Sequence, residues 1–213
     1  MLIVNFKGYR KGTGTEARET AKKCVEASEE FDSELIICPQ AEDLLRLKDL
    51  DVSVYAQHVS NFKPGSHTGH PIAESLAEAG ATGTLINHSE RRILDGSIMK
   101  DTVRRAQEND MTAVLCAQSP EECEKLSKHE PDYIAFEPPE LIGGDTAVSE
   151  AEPELIEEAA ERSDTPLLAG AGIKDTEDVE KAIELGCEGV LVASGVVKSN
   201  DVEESVRELM SGL

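Results

Sequence analysis

The sequence predicts an α/β protein folded as a compact (β/α)8 barrel. Three observations carry that prediction. Short apolar, β-favouring runs alternate with amphipathic segments along the chain, as expected for parallel strands with helices packed outside them. Eight such units fit within 213 residues, the short end of the range for closed barrels. No Gly-x-Gly-x-x-Gly follows the first run, which disfavours the dinucleotide-binding open sheet that eight units could otherwise form. No linker, low-complexity tract or break in composition divides the chain, so residues 1–213 are expected to form one domain.

The units follow in order. Leu2–Asn5 reads as the first strand, and after the turn at Gly12 and Gly14 residues 15–31 read as a helix. Leu35–Cys38 is the second strand, with a short helix at 42–47. Residues 53–57 are the third, followed by a helix at 72–79 that places Ile72, Ala73, Leu76 and Ala77 on one face. Residues 83–87 are the fourth strand, with a helix at 98–108, and 112–116 the fifth, with a short helix opening at Pro120. Tyr133–Phe136 is the sixth strand, followed by a long loop and a helix from Glu152 or Pro153 to Arg162. Proline suits a first helical turn because its missing N–H would be unpaired there. Residues 166–169 are the seventh strand, with a helix at 176–185 that aligns Val179, Ala182 and Ile183. Residues 189–192 are the eighth, and the last helix places Val202, Val206, Leu209 and Met210 at i, i+4, i+7 and i+8.

Composition narrows the function classes. The chain carries 43 Asp and Glu against 21 Lys and Arg, a net charge of -22, so nucleic acid and anionic membrane surfaces are poor partners. No run approaches the roughly 20 apolar residues of a membrane span. Met1–Asn5 reads as a strand and not as a leader peptide, which predicts a cytoplasmic location. Such charge opposes compaction unless salt screens it, and at molar salt the Debye length is only about 3 Å. With no Trp and 3% aromatic residues, the composition predicts adaptation to high salt, as in a protein from a halophile. Five cysteines without a Cys-x-x-Cys pair read as reduced structural thiols. His67-x-x-His70 has a metal-compatible spacing, but its turn-rich surroundings and missing co-ligands argue against a metal there.

In barrels, functional side chains cluster at strand C-termini. Asn5-Phe6-Lys7 follows the first strand, Gln57-His58 the third, Asn87-His88-Ser89-Glu90 the fourth and Glu137-Pro138-Pro139 the sixth. Gly170-Ala171-Gly172 follows the seventh and Ala193-Ser194-Gly195 the eighth. Lys, His and Glu on one face would provide an electrophile, a proton shuttle and a base. The last two sets are small and Gly-rich, as a backbone-lined phosphate site requires.

Asn5-Phe6-Lys7, Asn87-His88-Ser89-Glu90-Arg91-Arg92 and Ala135-Phe136-Glu137-Pro138 together resemble the signatures of the triosephosphate isomerase family, and the short form found in archaea above all. The likeness runs over nearly the whole chain. It implies interconversion of dihydroxyacetone phosphate and glyceraldehyde 3-phosphate, with no metal or organic cofactor. The roles it implies are the family's, carried over by position: Glu137 as the base, His88 as a neutral proton shuttle, Lys7 as positive charge and Asn5 as its support. Glu90 would orient Lys7 by an ion pair, and the N-terminus of a helix following Ser89 would keep His88 uncharged through its dipole. Residues 138–144 would be a closing lid, with Ile142, Gly143, Gly172, Ala193 and Ser194 holding the phosphate. Gly143-Gly144-Asp145 departs from the Gly-Thr-Gly common at the end of that lid and adds a negative charge beside an anion site. The Gly65–His70 stretch resembles the loop, here with Thr68 near its tip, that reaches into a neighbouring subunit, which implies a homo-oligomer, dimer or tetramer. Rival readings are another phosphate-binding barrel, such as an epimerase, an indole-pathway isomerase or a Schiff-base aldolase, and a barrel kept as a binding module.

Overall fold

The computed structural model describes residues 1–139 and 153–213. Eight parallel strands close into a barrel in sequence order: β1 (Leu2–Asn5), β2 (Leu35–Cys38), β3 (Ser53–Ala56), β4 (Gly83–Ile86), β5 (Thr112–Ala117), β6 (Tyr133–Phe136), β7 (Leu167–Ala169) and β8 (Cys187–Val192). Leu2 marks the closure, pairing with Leu35 of β2 on one side and Val190 of β8 on the other. A closed sheet has no unpaired edge, so the strands can be buried and nearly all apolar.

Around it, among the described residues, lie α1 (Gly14–Ser28), α2 (Leu44–Leu47), α3 (Ala73–Glu78), α4 (Gly96–Gln107), α5 (Pro120–Ser127), α6 (Pro153–Arg162), α7 (Thr176–Glu184), α8 (Ser194–Val197) and α9 (Val202–Met210). Acidic and hydroxyl side chains set several helix starts. Asp95 accepts from the amides of Ser97 and Ile98, Ser119 from Glu122, Asp175 from Asp178 and Asp201 from Glu204. Each satisfies amides that the first helical turn leaves unpaired. The cap at Asp95 moves the start of α4 ahead of the expected Ile98.

One further expectation shifts, and one element was not foreseen. Ile183 was expected on the apolar face of α7, but it is 37% exposed while Val179 and Ala182 are buried. Ala182 and Ile183 lie on opposite sides of Val179, about 60° and 40° from it, and Ile183 falls at the solvent edge of the stripe. Ser194–Val197 forms a helical turn that composition does not favour, since Ser, Gly and Val are all weak helix formers. Residues 140–144 of the expected lid, with Ile142 and Gly143, lie outside the described residues.

Strand alternation splits the core in two. Ile3, Ile36, Leu85, Val114, Ala135 and Leu168 belong to one apolar cluster, which fills the barrel. Leu2, Val4, Leu35, Ile37, Leu115 and Phe136 belong to the other, packed against the helices. Side chains at i and i+2 share a face, so each strand serves both layers. Tyr55 fills part of the interior, and a Cβ on Gly83 would lie 2.5 Å from its ring. Only glycine fits there. Gly83→Ala should therefore lower stability by about 1–3 kcal/mol, the usual cost of overpacking a core, read as a lower urea midpoint with unchanged slope.

Candidate active site

Alternation also decides what reaches the barrel mouth. Two residues beyond Ile3, Ala135, Leu168 and Leu191, all of the inner cluster, come Asn5, Glu137, Gly170 and Ala193. All four line a cavity of about 380 Å³ at the C-terminal ends of the strands, together with Lys7 and His88. Gly172 and Ser194 line it as well. The expected residues are thus brought together, except Ile142 and Gly143, which are not described, and Thr68, which is exposed on its loop. Glu90 lines an adjoining cavity of about 570 Å³ that shares Asn5, Lys7 and His88.

Lys7 is held from both ends. Its backbone takes a left-handed conformation, φ 46°, that a side chain rarely adopts. Asn5 Oδ1 accepts from the Lys7 amide at 3.0 Å, and the side-chain amides of Gln40 and Gln57 donate to the Lys7 carbonyl at 2.7 and 3.0 Å. Glu90 Oε1 pairs with Lys7 Nζ at 3.1 Å. The side chain of Lys7 is 12% exposed and that of Glu90 61%, so the pair sits at the rim and contributes orientation more than stability.

His88 and Glu137 are both buried, and Nε2 stands 3.7 Å from Oε2. Neither atom has a hydrogen-bond partner among the described residues. The Glu90 amide donates to His88 Nδ1 at 3.1 Å, which leaves the ring proton on Nε2, facing the cavity. Burial pushes the imidazole pKa down to about 4, Lys7 pushes the same way, and Glu90 opposes both. A neutral imidazole was expected, but with the dipole of a helix starting after Ser89 as its cause. That cause is corrected: residues 89–95 are not helical, α4 begins at Gly96, and desolvation dominates.

Burial acts on Glu137 with the opposite sign, raising its carboxyl to about 7, while a hydrogen bond from the Cys116 thiol and the charge of Lys7 hold it down. Burial, then the charge and hydrogen bond of Glu137, push the Cys116 thiol well above its ordinary value, so it stays a neutral donor. Gly170 makes the room, because a Cβ there would collide with Glu137 Cγ. The site thus pairs a carboxylate that titrates near neutrality with an imidazole that stays uncharged. That combination can take a proton from carbon and pass protons between oxygens. No three His, Cys, Asp or Glu side chains gather as a metal site among the described residues.

Sequence reasoning missed Gln40, Cys116, Tyr9, Lys174 and Lys198. The first two were findable. Cys116 lies within β5 and Gln40 two residues beyond inward-facing Cys38, so the strand-end search applied to β2 and β5 would have reached both. Tyr9, Lys174 and Lys198 line the cavity from loops, where no periodicity signals them.

Residues 1–209 match the family model described as triosephosphate isomerase. A triosephosphate isomerase of Methanothermus fervidus is 42% identical over 186 residues, 84% of this chain and 83% of that protein. The one of Methanocaldococcus jannaschii is 41% identical over 216 residues, covering 99% and 98%. The crystal structure of triosephosphate isomerase from Bartonella henselae superposes with a TM-score of 0.74 at 19% identity, covering 99% of this chain and 95% of that one, a likeness of fold.

The two shifts leave opposite marks on stability. Glu137 binds its proton more tightly when folded, so the folded state loses stability as pH rises from the ordinary carboxylate range through about 7. His88 binds its proton less tightly when folded, so stability is lost as pH falls from 6.5 through about 4. Glu137→Gln should therefore raise Tm more at pH 8 than at pH 5 by calorimetry. An equal gain at both would contradict the raised carboxyl.

Proposed function

The chain belongs to the triosephosphate isomerase family and is an isomerase that interconverts dihydroxyacetone phosphate and D-glyceraldehyde 3-phosphate, a step of glycolysis and gluconeogenesis, and we propose that it works through an enediolate formed by Glu137 and shuttled by His88. The observation that carries the mechanism is the facing pair of buried, unpartnered atoms, His88 Nε2 and Glu137 Oε2. Glu137 takes a carbon-bound proton, breaking C–H and forming O–H, while the electron pair moves onto the carbonyl oxygen. His88, donating from Nε2, stabilises that oxygen and transfers protons between the two substrate oxygens. Lys7 supplies positive charge to the developing oxyanion, held in place by Asn5 and Glu90. Glu137 returns its proton to the adjacent carbon. Gly172, Ala193 and Ser194, with Ile142 and Gly143 from the closing lid, hold the phosphate, so that binding remote from the reacting carbons positions them. No step needs a metal or organic cofactor.

Residues 1–213 act as one domain in a homo-oligomer. The loop bearing exposed Thr68 is the element offered to a neighbour, and the 570 Å³ cavity beside Asn5 and Lys7 is a receptacle of suitable size. Phe62 stacks on His67 with centroids 4.1 Å apart, which stiffens the base of that loop. The enzyme works in the cytoplasm, consistent with five free, buried cysteines. Its acidic surface suits concentrated salt, which screens a net charge of -22.

A coupled assay with glyceraldehyde 3-phosphate should show turnover that falls below about pH 7 as Glu137 takes up its proton. Glu137→Gln should lower kcat by about 10²–10⁴-fold while leaving inorganic phosphate binding largely intact, because a base serves the proton step and not phosphate recognition. Near-full activity in that variant would remove Glu137 as the base. Sedimentation and calorimetry in dilute and in molar KCl should show an oligomer with one cooperative transition, and a higher Tm in the concentrated salt. Active monomers at nanomolar concentration would contradict the assembly, and a Tm unchanged or lowered by KCl the salt adaptation.

A further inference from the structure

Lys198 lies beyond α8, at the edge of the cavity that holds Glu137 and His88. Its Nζ stands 4.6 Å from the centroid of the Tyr9 ring, which enters from the loop after β1. Sequence distance hides the pairing; barrel closure makes it, because β1 and β8 are neighbours. In a chain with about two acids for each base, most cations have carboxylates at hand. Among the described residues, Lys198 contacts none and rests on an aromatic face instead.

That choice of partner matters chemically. An aromatic ring attracts an ammonium through its quadrupole and fixes its position, yet leaves the unit charge unneutralised. A carboxylate would fix the lysine equally well but cancel the charge. Lys198 is therefore held at the cavity edge with its charge available to an anion. Backbone amides such as those near Ala193 and Ser194 give a phosphate directional hydrogen bonds, but no net charge. A phosphomonoester dianion must also approach against the field of a chain at -22, and local cations at the mouth reverse that field where it counts. Lys7 and Lys174 line the same cavity.

We propose that Lys198, seated on the Tyr9 ring, is a phosphate-recognition residue of this site, engaging the substrate's phosphomonoester dianion, with Tyr9 as its positioning residue. The inference rests on the isomerase reading and names a contact beyond the set taken from the sequence. Lys198 binds ground state and transition state alike, so it acts on KM and not on the proton-transfer step.

The test compares wild type, Lys198→Met, Lys198→Arg, Tyr9→Leu and the charge control Lys128→Met, which removes one cation outside the cavity. KM for glyceraldehyde 3-phosphate and the inhibition constant of inorganic phosphate are measured in 0.1 M and 1 M KCl, two assay conditions chosen to span about 10 to 3 Å of Debye length. Lys198→Met should raise both constants by roughly tenfold in the lower salt, the scale of one lost charge-assisted hydrogen bond, with kcat nearly unchanged and a smaller defect in the higher salt. Lys198→Arg should keep most of the affinity, and Tyr9→Leu should show a weaker rise of the same kind. Unchanged constants in Lys198→Met, a defect confined to kcat, or an equal rise in Lys128→Met would overturn the assignment. If wild type gives no turnover, the isomerase reading fails, and calorimetric titration with inorganic phosphate still decides for or against Lys198.

Discussion

Closure of the sheet is the constraint from which the rest follows. Once Leu2 pairs with both Leu35 and Val190, every strand has a fixed inner and outer face. A slip of one residue in any strand would exchange the two faces. It would turn Ile3 or Ala135 toward the helices and carry Asn5 or Glu137 out of the mouth with them. Registry of the barrel and placement of the site are therefore one fact. The glycines report the same constraint at two levels, Gly83 yielding to Tyr55 in the interior and Gly170 yielding to Glu137 at the mouth.

Burial at that mouth then sorts the titratable groups. Removing water penalises charge on both His88 and Glu137, but a base and an acid respond in opposite directions. The imidazole is held neutral and the carboxyl is brought near neutrality. Neighbours refine the result without setting it: Lys7 acts on both, Cys116 donates to Glu137, and Glu90 donates its amide to His88. The folded state carries these groups at a cost in stability, which is the usual mark of a site shaped for chemistry.

The acidity of the chain is handled differently inside and outside. On the surface, acidic caps close helices at Asp95, Asp175 and Asp201, and beneath it the buried guanidinium of Arg105 is paired with Glu74 and Glu108. Around the cavity the pattern inverts. Lys7 meets the exposed Glu90 only at the rim, and Lys198 meets an aromatic ring. A strongly anionic protein can thus present a locally cationic entrance to an anionic substrate.

The sequence by itself determined the eight alternating units, the fold class and the identity of Asn5, Lys7, His88, Glu90 and Glu137, because strand alternation and strand-end chemistry are local patterns. It also located Gly172, Ala193 and Ser194, since small residues at strand ends leave a backbone-lined space. Only the tertiary structure decided how His88 stays uncharged. Desolvation depends on everything packed around a group, and a helix dipole read from the next few residues was the wrong cause. The same holds for Cys116 against Glu137, for Gln40 and Gln57 clasping the Lys7 carbonyl, and for Lys198 over Tyr9. Those contacts join residues far apart in the chain, and they exist because the barrel brings β1 beside β2 and β8, β2 beside β3, and β5 beside β6.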